Sequence, residues 1–199
     1  MIDLYETTPY LENVVKQTGY KTLKSLMFLH HLVKRVQPDV ILELGTGFGC
    51  SAIFMALASN GVIHTIDDYR GDTCLDVNIP LNNFSACGVV DWVGVINGDT
   101  RLLQTFKGSP EIVFMDASHN RMDLWSEYAA FELLLMKKHI IVIDDLFSTD
   151  VKEFALDLLK KDCYDICFMP KFHDGMAILT SYKFLDPVVM AIEEGSHYA

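Results

Sequence analysis

Short runs of Val and Ile alternate along the chain with longer segments in which apolar residues recur every three or four positions. The short runs predict β-strands, and the longer segments predict helices. Seven strands are predicted, at Val40–Leu44, Val62–Ile66, Val93–Ile96, Ile112–Met115, Ile140–Ile143, Tyr164–Met169 and Met176–Ser181. Helices are predicted at Leu23–Val36, Ser51–Ser59, Asn78–Cys87, Thr100–Phe106, Met122–Lys137 and Thr149–Lys161.

This alternation is typical of a Rossmann-like, doubly wound α/β fold with a mostly parallel sheet of seven strands. Only a short turn, at residues 171–175, separates the last two strands, so the last strand should be antiparallel. At 199 residues and with no long linker, we expect one domain over residues 1–199. Within it we expect a helical N-terminal extension (1–37), a core (38–182) and a tail (183–199).

Composition and charge narrow the classes of partner. The formal net charge of −11 disfavours nucleic acid, and no apolar run is long enough to cross a membrane. The first residues lack the basic and apolar regions of a signal peptide, so a cytoplasmic location is expected. Five cysteines without a CxxC pair predict neither a disulfide framework nor a thiolate zinc site. Half of the residues are hydrophobic, which would suit a homodimer.

Three glycines lie between the first predicted strand and the next helix. Gly45, Gly47 and Gly49 allow the backbone to turn sharply and to approach a ligand closely. A dinucleotide-binding fingerprint would need glycine at residue 50, which is Cys50, and the Gly-Lys-Ser/Thr of a phosphate loop is absent. An NAD(P)-dependent oxidoreductase is therefore disfavoured.

The second strand ends in an acidic pair, Asp67 and Asp68, and either carboxylate could accept the hydroxyls of a cofactor ribose. The stretches ELGTGFGCS (43–51) and TIDD (65–68) resemble the first two motifs of class I S-adenosylmethionine-dependent methyltransferases. NGDT (97–100) resembles the adenine-binding corner of that family, and the resemblance spans about residues 23–182. The cofactor-binding residues that it implies are Glu43, Gly45, Thr46, Gly47, Gly49, Ser51, Asp67, Asp68, Asp99, Thr100 and Asp116.

Carboxylates also follow the fourth and fifth strands, as Asp116, Asp144 and Asp145. Because parallel strands end at one edge of a sheet, these side chains should lie together. Carboxylates so close repel one another, which favours a bound cation such as Mg²⁺ between them. The three positions resemble the metal ligands of divalent-metal-dependent O-methyltransferases of catechol and caffeoyl-coenzyme A type. There the third ligand is usually Asn, so Asp145 is closer to the macrocin-type enzymes. The alternative is that Asp144 or Asp145 caps the next helix and Asp116 contacts only solvent.

His119 lies three residues after Asp116, where catechol-type enzymes carry a lysine that takes the substrate proton. A histidine, with an ordinary pKa near ~6.5, can accept such a proton at neutral pH. His119 or the carboxylate of Asp116 is therefore the candidate base. The alternative is a histidine at the start of the helix with no catalytic role.

Together these residues predict a methyltransferase that binds S-adenosylmethionine and methylates the hydroxyl of a small acceptor with help from a divalent cation. The alternative is a protein that binds S-adenosylmethionine without a metal or without turnover. Tyr69, Trp125 and Phe147 either line the acceptor site or pack in the core.

Overall fold

Seven strands in the described residues form one sheet. The computed structural model describes residues 23–70, 76–103, 106–161, 163–169 and 174–181. The strands are β1 (Val40–Leu44), β2 (Val62–Asp67), β3 (Val93–Asn97), β4 (Ile112–Met115), β5 (Ile140–Ile143), β6 (Tyr164–Met169) and β7 (Met176–Ser181). Their order across the sheet is β3-β2-β1-β4-β5-β7-β6. The predicted doubly wound α/β fold is confirmed.

The first five strands are parallel to one another, and β7 runs antiparallel to both of its neighbours, β5 and β6. The predicted reversal of the last strand is therefore confirmed. It inserts between β5 and β6, with Ile143 paired to Ala177 on one side and Met169 paired to Met176 on the other. The five inner strands therefore have a hydrogen-bonded neighbour on both sides, and β3 and β6 form the two edges of the sheet.

The helices are α1 (Leu23–Val36), α2 (Cys50–Ala56), α3 (Asn78–Ala86), α4 (Arg121–Phe131) and α5 (Thr149–Leu159). A 3₁₀ turn at Glu132–Leu134 follows α4, so the prediction of one helix as far as Lys137 was wrong. Leu133 is 94% exposed there, so this residue adds no buried apolar contact that would extend the helix.

The prediction of a helix at Thr100–Phe106 was also wrong for the residues described. The backbone N–H of Leu102 donates to the carbonyl of Asp99, and Leu103 has a φ of 43°. The Asp99 side chain accepts a hydrogen bond from the N–H of Arg101, which favours a turn over a helix.

Helices cover both faces of the sheet. Alternate strand residues such as Ile41 and Phe114 pack in one buried cluster with α1, α2 and α3. Their neighbours, such as Leu42 and Val113, pack in a second cluster with α4 and α5. Burial on both faces explains the nearly continuous apolar runs of the central strands.

Residues 1–22 and 182–199 lie outside the described residues, so the domain limits expected at 37 and 182 stay predictions. Of the helices described, none is both long enough and apolar enough to cross a bilayer.

Candidate functional site

The glycine loop between β1 and α2 stands at the carboxyl edge of the sheet. All three glycines have positive φ, and a Cβ on Gly45 would lie 2.5 Å from the backbone oxygen of Asp116. A Cβ on Gly49 would lie 2.5 Å from the ring of Phe84. Apart from Gly47 and its two chain neighbours, no heavy atom of the described residues lies within 4 Å of the position of a Cβ on Gly47. Gly45 and Gly49 thus permit close packing, whereas Gly47 leaves open space beside the loop.

Asp67 connects this loop to the end of β2. Its Oδ2 accepts hydrogen bonds from the N–H groups of Thr46 (3.0 Å) and Gly47 (2.9 Å), and its Oδ1 accepts one from Tyr69 (2.8 Å). Asp68 instead accepts from the N–H of Arg70 within its own turn. Of the two acidic candidates, Asp67 is the one placed against the glycine loop.

Three of the predicted cofactor-binding side chains lie under the loop. Glu43 and Ser51 are buried, and the Ser51 hydroxyl donates a hydrogen bond to the Glu43 carboxylate. The Thr46 hydroxyl is also buried and lies 2.7 Å from the hydroxyl of Thr65 on β2. These groups support the shape of the loop from the side of the sheet.

A cleft lies next to the loop, where β2 and β3 end. The cleft is open to solvent and measures about 330 Å³ when that open space is included. It is lined by Ile66, Ile96, Asn97, Gly98, Asp99, Leu102 and Leu103. Apolar side chains form its walls and a carboxylate lies at its rim, an arrangement that suits a flat heterocycle with exocyclic amino groups. Three of the four residues of the predicted adenine-binding corner, Asn97, Gly98 and Asp99, therefore line one cleft.

The side chain of Asp99, at the rim of the cleft, is paired with Arg101. Its two carboxylate oxygens accept hydrogen bonds from the guanidinium at 2.7 and 2.8 Å. These bonds lower the pKa of Asp99 to about 2. Arg101 also donates to Asp123 on α4, so the rim of the cleft is linked to that helix.

The strand register places two of the three predicted metal ligands, Asp116 and Asp144, at the ends of neighbouring strands. Met115 of β4 pairs with Ile143 of β5, so Asp116 and Asp144 leave neighbouring strands at the same level. The N–H of Asp116 donates to the carbonyl of Leu44, and the N–H of Asp144 donates to that of Met115. Asp144 is buried and Asp116 is half-buried. The cluster thus lies directly beside the glycine loop.

His119 contacts the cluster through Asp145. Its Nε2 lies 2.5 Å from Asp145 Oδ2. This hydrogen bond raises the pKa of His119 and outweighs the opposing effect of partial desolvation. The charges of Asp145, Asp116 and Asp144 raise this pKa further. The four side chains therefore form one electrostatic unit.

The backbone of Asp145 has a φ of 57°, in the left-handed region that aspartate tolerates better than most residues. The next two residues, Leu146 and Phe147, donate N–H bonds to the carbonyls of Gly175 and Asp174. The loop after β5 is thus attached to the start of β7. This attachment sets the position from which Asp145 reaches His119.

The chemistry of the cluster suits a hard divalent cation, because carboxylate oxygens are the ligands that Mg²⁺ prefers. Within the ranges that the structure describes, however, no three His, Cys, Asp or Glu side chains are arranged to hold an ion. Asp145 is engaged with His119 instead. The ligand set Asp116, Asp144 and Asp145 stays a prediction.

Comparison with known proteins assigns the family. The model of the rhamnosyl O-methyltransferase/CmcI family matches residues 10–158, about three quarters of the chain. The chain belongs to this family. It is therefore a methyltransferase, as the glycine loop and the acidic strand ends predicted.

Solved methyltransferase structures share the fold. TomG, an O-methyltransferase of tomaymycin synthesis from Streptomyces achromogenes solved with SAM, has 18% identity and a TM-score of 0.70, over 90% of this chain and 95% of its own. A Bacillus cereus O-methyltransferase solved with SAH has 18% identity and a TM-score of 0.70, over 86% of this chain and 90% of its own. No curated protein sequence matches the chain.

One polar residue in the methyltransferase was missed by the sequence reasoning. Glu127 of α4 is completely buried, and its Oε1 accepts hydrogen bonds from the hydroxyls of Thr100 (2.6 Å) and Ser118 (2.7 Å). Burial raises the pKa of Glu127, and the two hydroxyls partly oppose that effect. Glu127 lies three residues after Leu124 and four before Phe131, which places it on the apolar face of α4. A carboxylate on that face is the feature of the sequence that could have revealed it.

The three aromatic candidates have different surroundings. Trp125 packs edge-on against Tyr128 and Phe154, with centroid distances of 5.8 and 5.1 Å, so it belongs to the packing between α4 and α5. Phe147 is 61% exposed beside the carboxylate cluster of the methyltransferase. Tyr69 is buried after β2.

Proposed function

We propose that this methyltransferase transfers the methyl group of S-adenosylmethionine to a hydroxyl oxygen of a small acceptor. The observation that carries the proposal is the open side of the loop at Gly47, held by Asp67 and flanked by the apolar cleft. The family description, an O-methyltransferase, supports the transfer to oxygen. The cofactors bound in TomG and in the Bacillus cereus enzyme support the identity of the methyl donor.

The site offers one region for each part of the donor. The space at Gly47 accommodates the amino-acid portion, Asp67 faces the ribose, and the cleft beside Asp99 receives the adenine. The sulfonium of S-adenosylmethionine is positively charged, so the acidic edge of the sheet attracts it. Methyl transfer leaves a neutral thioether, and this attraction is then lost, which favours release of the product.

The acceptor lies on the side of His119 and the carboxylate cluster. As its oxygen bonds to the methyl carbon, the S–CH₃ bond breaks with its electron pair going to sulfur, and the hydroxyl proton must leave. Neutral His119 receives that proton, and the carboxylate of Asp145, 2.5 Å away, stabilises the imidazolium. Holding donor and acceptor in line can supply about 7 to 11 kcal/mol of the barrier.

Asp116, Asp144 and Asp145 are the residues that would hold a divalent cation. Such an ion, when bound, would lower the pKa of the acceptor hydroxyl and help to orient it. A small-molecule acceptor, a homodimer and a cytoplasmic location also stay predictions.

A first test fills the open side of the loop. We expect Gly47→Asn to weaken S-adenosylhomocysteine binding about 10-fold or more, because asparagine tolerates the backbone conformation but its side chain occupies the cradle. Calorimetric titration measures the dissociation constant. The matched control is Gly88→Asn, also at positive φ but after α3, at the opposite edge of the sheet.

A wild-type protein that binds neither S-adenosylmethionine nor S-adenosylhomocysteine would refute the proposal. Binding without methyl transfer to any hydroxylated acceptor would favour the non-catalytic alternative.

A second test concerns the cation. We expect the double variant Asp144→Ala/Asp145→Ala to lose methyl transfer and Mn²⁺ binding, the latter measured by electron paramagnetic resonance of the protein alone. Asp150→Ala removes a carboxylate from the first turn of α5 and should change neither measurement. If chelation by EDTA and the double variant both leave the rate unchanged, the metal is not used.

A further inference from the structure

A single buried carboxylate joins the loop after β3 to the loop after β4. We propose that Glu127 is a positioning residue that holds the adenine corner at a set distance from the carboxylate cluster and His119, an inference that rests on the proposed function. Thr100 follows Asp99 at the rim of the cleft, and Ser118 lies between Asp116 and His119. Both hydroxyls donate to Glu127 Oε1.

The sheet itself does not connect these two loops. In the strand order β3-β2-β1-β4, two strands lie between the strand that precedes Thr100 and the strand that precedes Ser118. Three strand spacings correspond to about 14 Å, so no single backbone ladder joins the two strands that lead into these loops. Side chains outside the sheet link them. Glu127 is bonded to both loops, and Arg101 also connects the first loop to Asp123 of α4.

The helix holds Glu127 rigidly. Leu124, Tyr128 and Phe131 of α4 are buried in the cluster between helix and sheet, and Glu127 itself has no exposed surface. In the described part of the chain, its Oε2 is buried and has no hydrogen-bond partner, so both hydroxyls converge on one oxygen. Movement of either loop relative to α4 therefore breaks a bond to the same atom.

Stability alone does not account for a carboxylate at this position. Burying a carboxylate is costly, and an apolar residue would pack on this face of α4 without that cost. An apolar residue, however, could not accept the hydrogen bonds from the two hydroxyls. The carboxylate is therefore explained by the two hydroxyls that it holds, Thr100 of the adenine corner and Ser118 beside His119.

The test compares Glu127→Ala with Glu127→Gln. Because alanine removes the acceptor, we expect about a 10-fold weaker affinity for S-adenosylhomocysteine and about a 10-fold lower kcat at saturating donor. Glutamine keeps an oxygen at this position and should recover most of both values. Removing one hydroxyl should separate the effects: Thr100→Val should mainly weaken binding, and Ser118→Ala should mainly lower kcat.

Glu132→Ala is the matched control. Glu132 accepts hydrogen bonds from Tyr128 and Lys161 just beyond the end of α4, so its loss disturbs the same helix outside the site. We expect a lower melting temperature with unchanged affinity and kcat. Equal affinity and kcat for wild type and a folded Glu127→Ala would overturn the proposal, as would a Glu127→Gln variant as impaired as Glu127→Ala.

Amide hydrogen exchange in the ligand-free protein separates failure of this inference from failure of the proposed function. Glu127→Ala should accelerate exchange in both residues 97–100 and residues 116–119, and Glu127→Gln should do so in neither. Unchanged exchange in either loop would overturn the inference even if the cofactor binds. A wild-type protein that binds no cofactor, together with faster exchange in both loops of the alanine variant, would refute the proposed function and support the link.

Discussion

Asp67 shows how one side chain shapes the site. The ends of β1 and β2 are neighbours, and the carboxylate of Asp67 binds three backbone N–H groups there, two of them in the glycine loop. Loop N–H groups without such a partner would depend on solvent and would be free to reorient. A residue predicted to bind ribose thus also sets the conformation of the loop at Gly47.

We expect Asp67→Asn to lower the free energy of unfolding by about 1–3 kcal/mol, because an amide group has only one acceptor oxygen for these three N–H groups. The affinity for S-adenosylhomocysteine should fall as well. Urea unfolding and calorimetric titration measure the two effects. The control is Asp68→Asn, because the described contact of the Asp68 carboxylate is with the N–H of Arg70 in its own turn. This variant should have a stability and an affinity close to those of the wild type. An Asp67→Asn protein of wild-type stability would show that the three bonds contribute little.

At the scale of elements, α1 is attached to the rest of the core through α2. The helical spacing of its apolar residues predicted one buried face, and His30 lies on that face, 5% exposed. His30 Nδ1 lies 3.1 Å from the carbonyl oxygen of Phe54 on α2. Burial lowers the pKa of His30 to about 4, although the hydrogen bond to Phe54 opposes this effect.

This lowered pKa makes the attachment of α1 sensitive to acid. In the unfolded chain His30 binds a proton below pH ~6.5, whereas in the folded protein it stays neutral down to about pH 4. Its contribution to stability is therefore complete above pH ~6.5 and is lost as the pH falls towards 4. From this group alone, the free energy of unfolding should fall by about 3 kcal/mol between pH 7 and pH 4.

His30→Asn keeps a group that can donate to the Phe54 carbonyl and removes the titration. Urea unfolding at several pH values should show a shallower loss of stability in this variant than in wild type. His139, whose pKa burial also lowers, is present in both proteins and cancels in the comparison. Equal slopes for the two proteins would contradict the assignment.

At the scale of the whole molecule, two core layers enclose the sheet and hold the carboxyl ends of its strands in place. Phe154 of α5 is fully buried in the layer that α4 and α5 form, where it packs on Trp125 and Tyr128. That layer carries Glu127 and the helix that follows His119. Packing far from the glycine loop therefore affects the site through the position of α4.

We expect Phe154→Ala to lower the free energy of unfolding by about 3–5 kcal/mol, since it leaves a cavity between α5 and the sheet. Phe147→Ala removes an aromatic ring of the same size that is 61% exposed, and its effect should stay within about 0.5 kcal/mol. Chemical denaturation monitored by circular dichroism compares the two. A loss of similar size in both variants would show that Phe147 is part of the folded core.

Much of the fold followed from local patterns. Five strands, β1, β4, β5, β6 and β7, begin and end at the predicted residues. Burial on both faces gives β1, β4, β5 and β7 runs of apolar residues that a sequence displays directly, whereas β6 is a partly exposed edge strand. The helices were less accurate at their ends. The termini of α4 and the turn after Asp99 depend on contacts with distant segments, which periodicity does not record.

The sequence by itself determined the α/β alternation, the glycine loop and the carboxylates at the strand ends, since each depends on residues adjacent in the chain. Only the tertiary structure decided that β7 lies between β5 and β6, that Asp67 binds the glycine loop, and that Glu127 links Thr100 to Ser118. The physical reason is the same in each case. A hydrogen bond between residues far apart in sequence depends on the order and register of the strands, and the short-range pattern of apolar and polar residues contains neither.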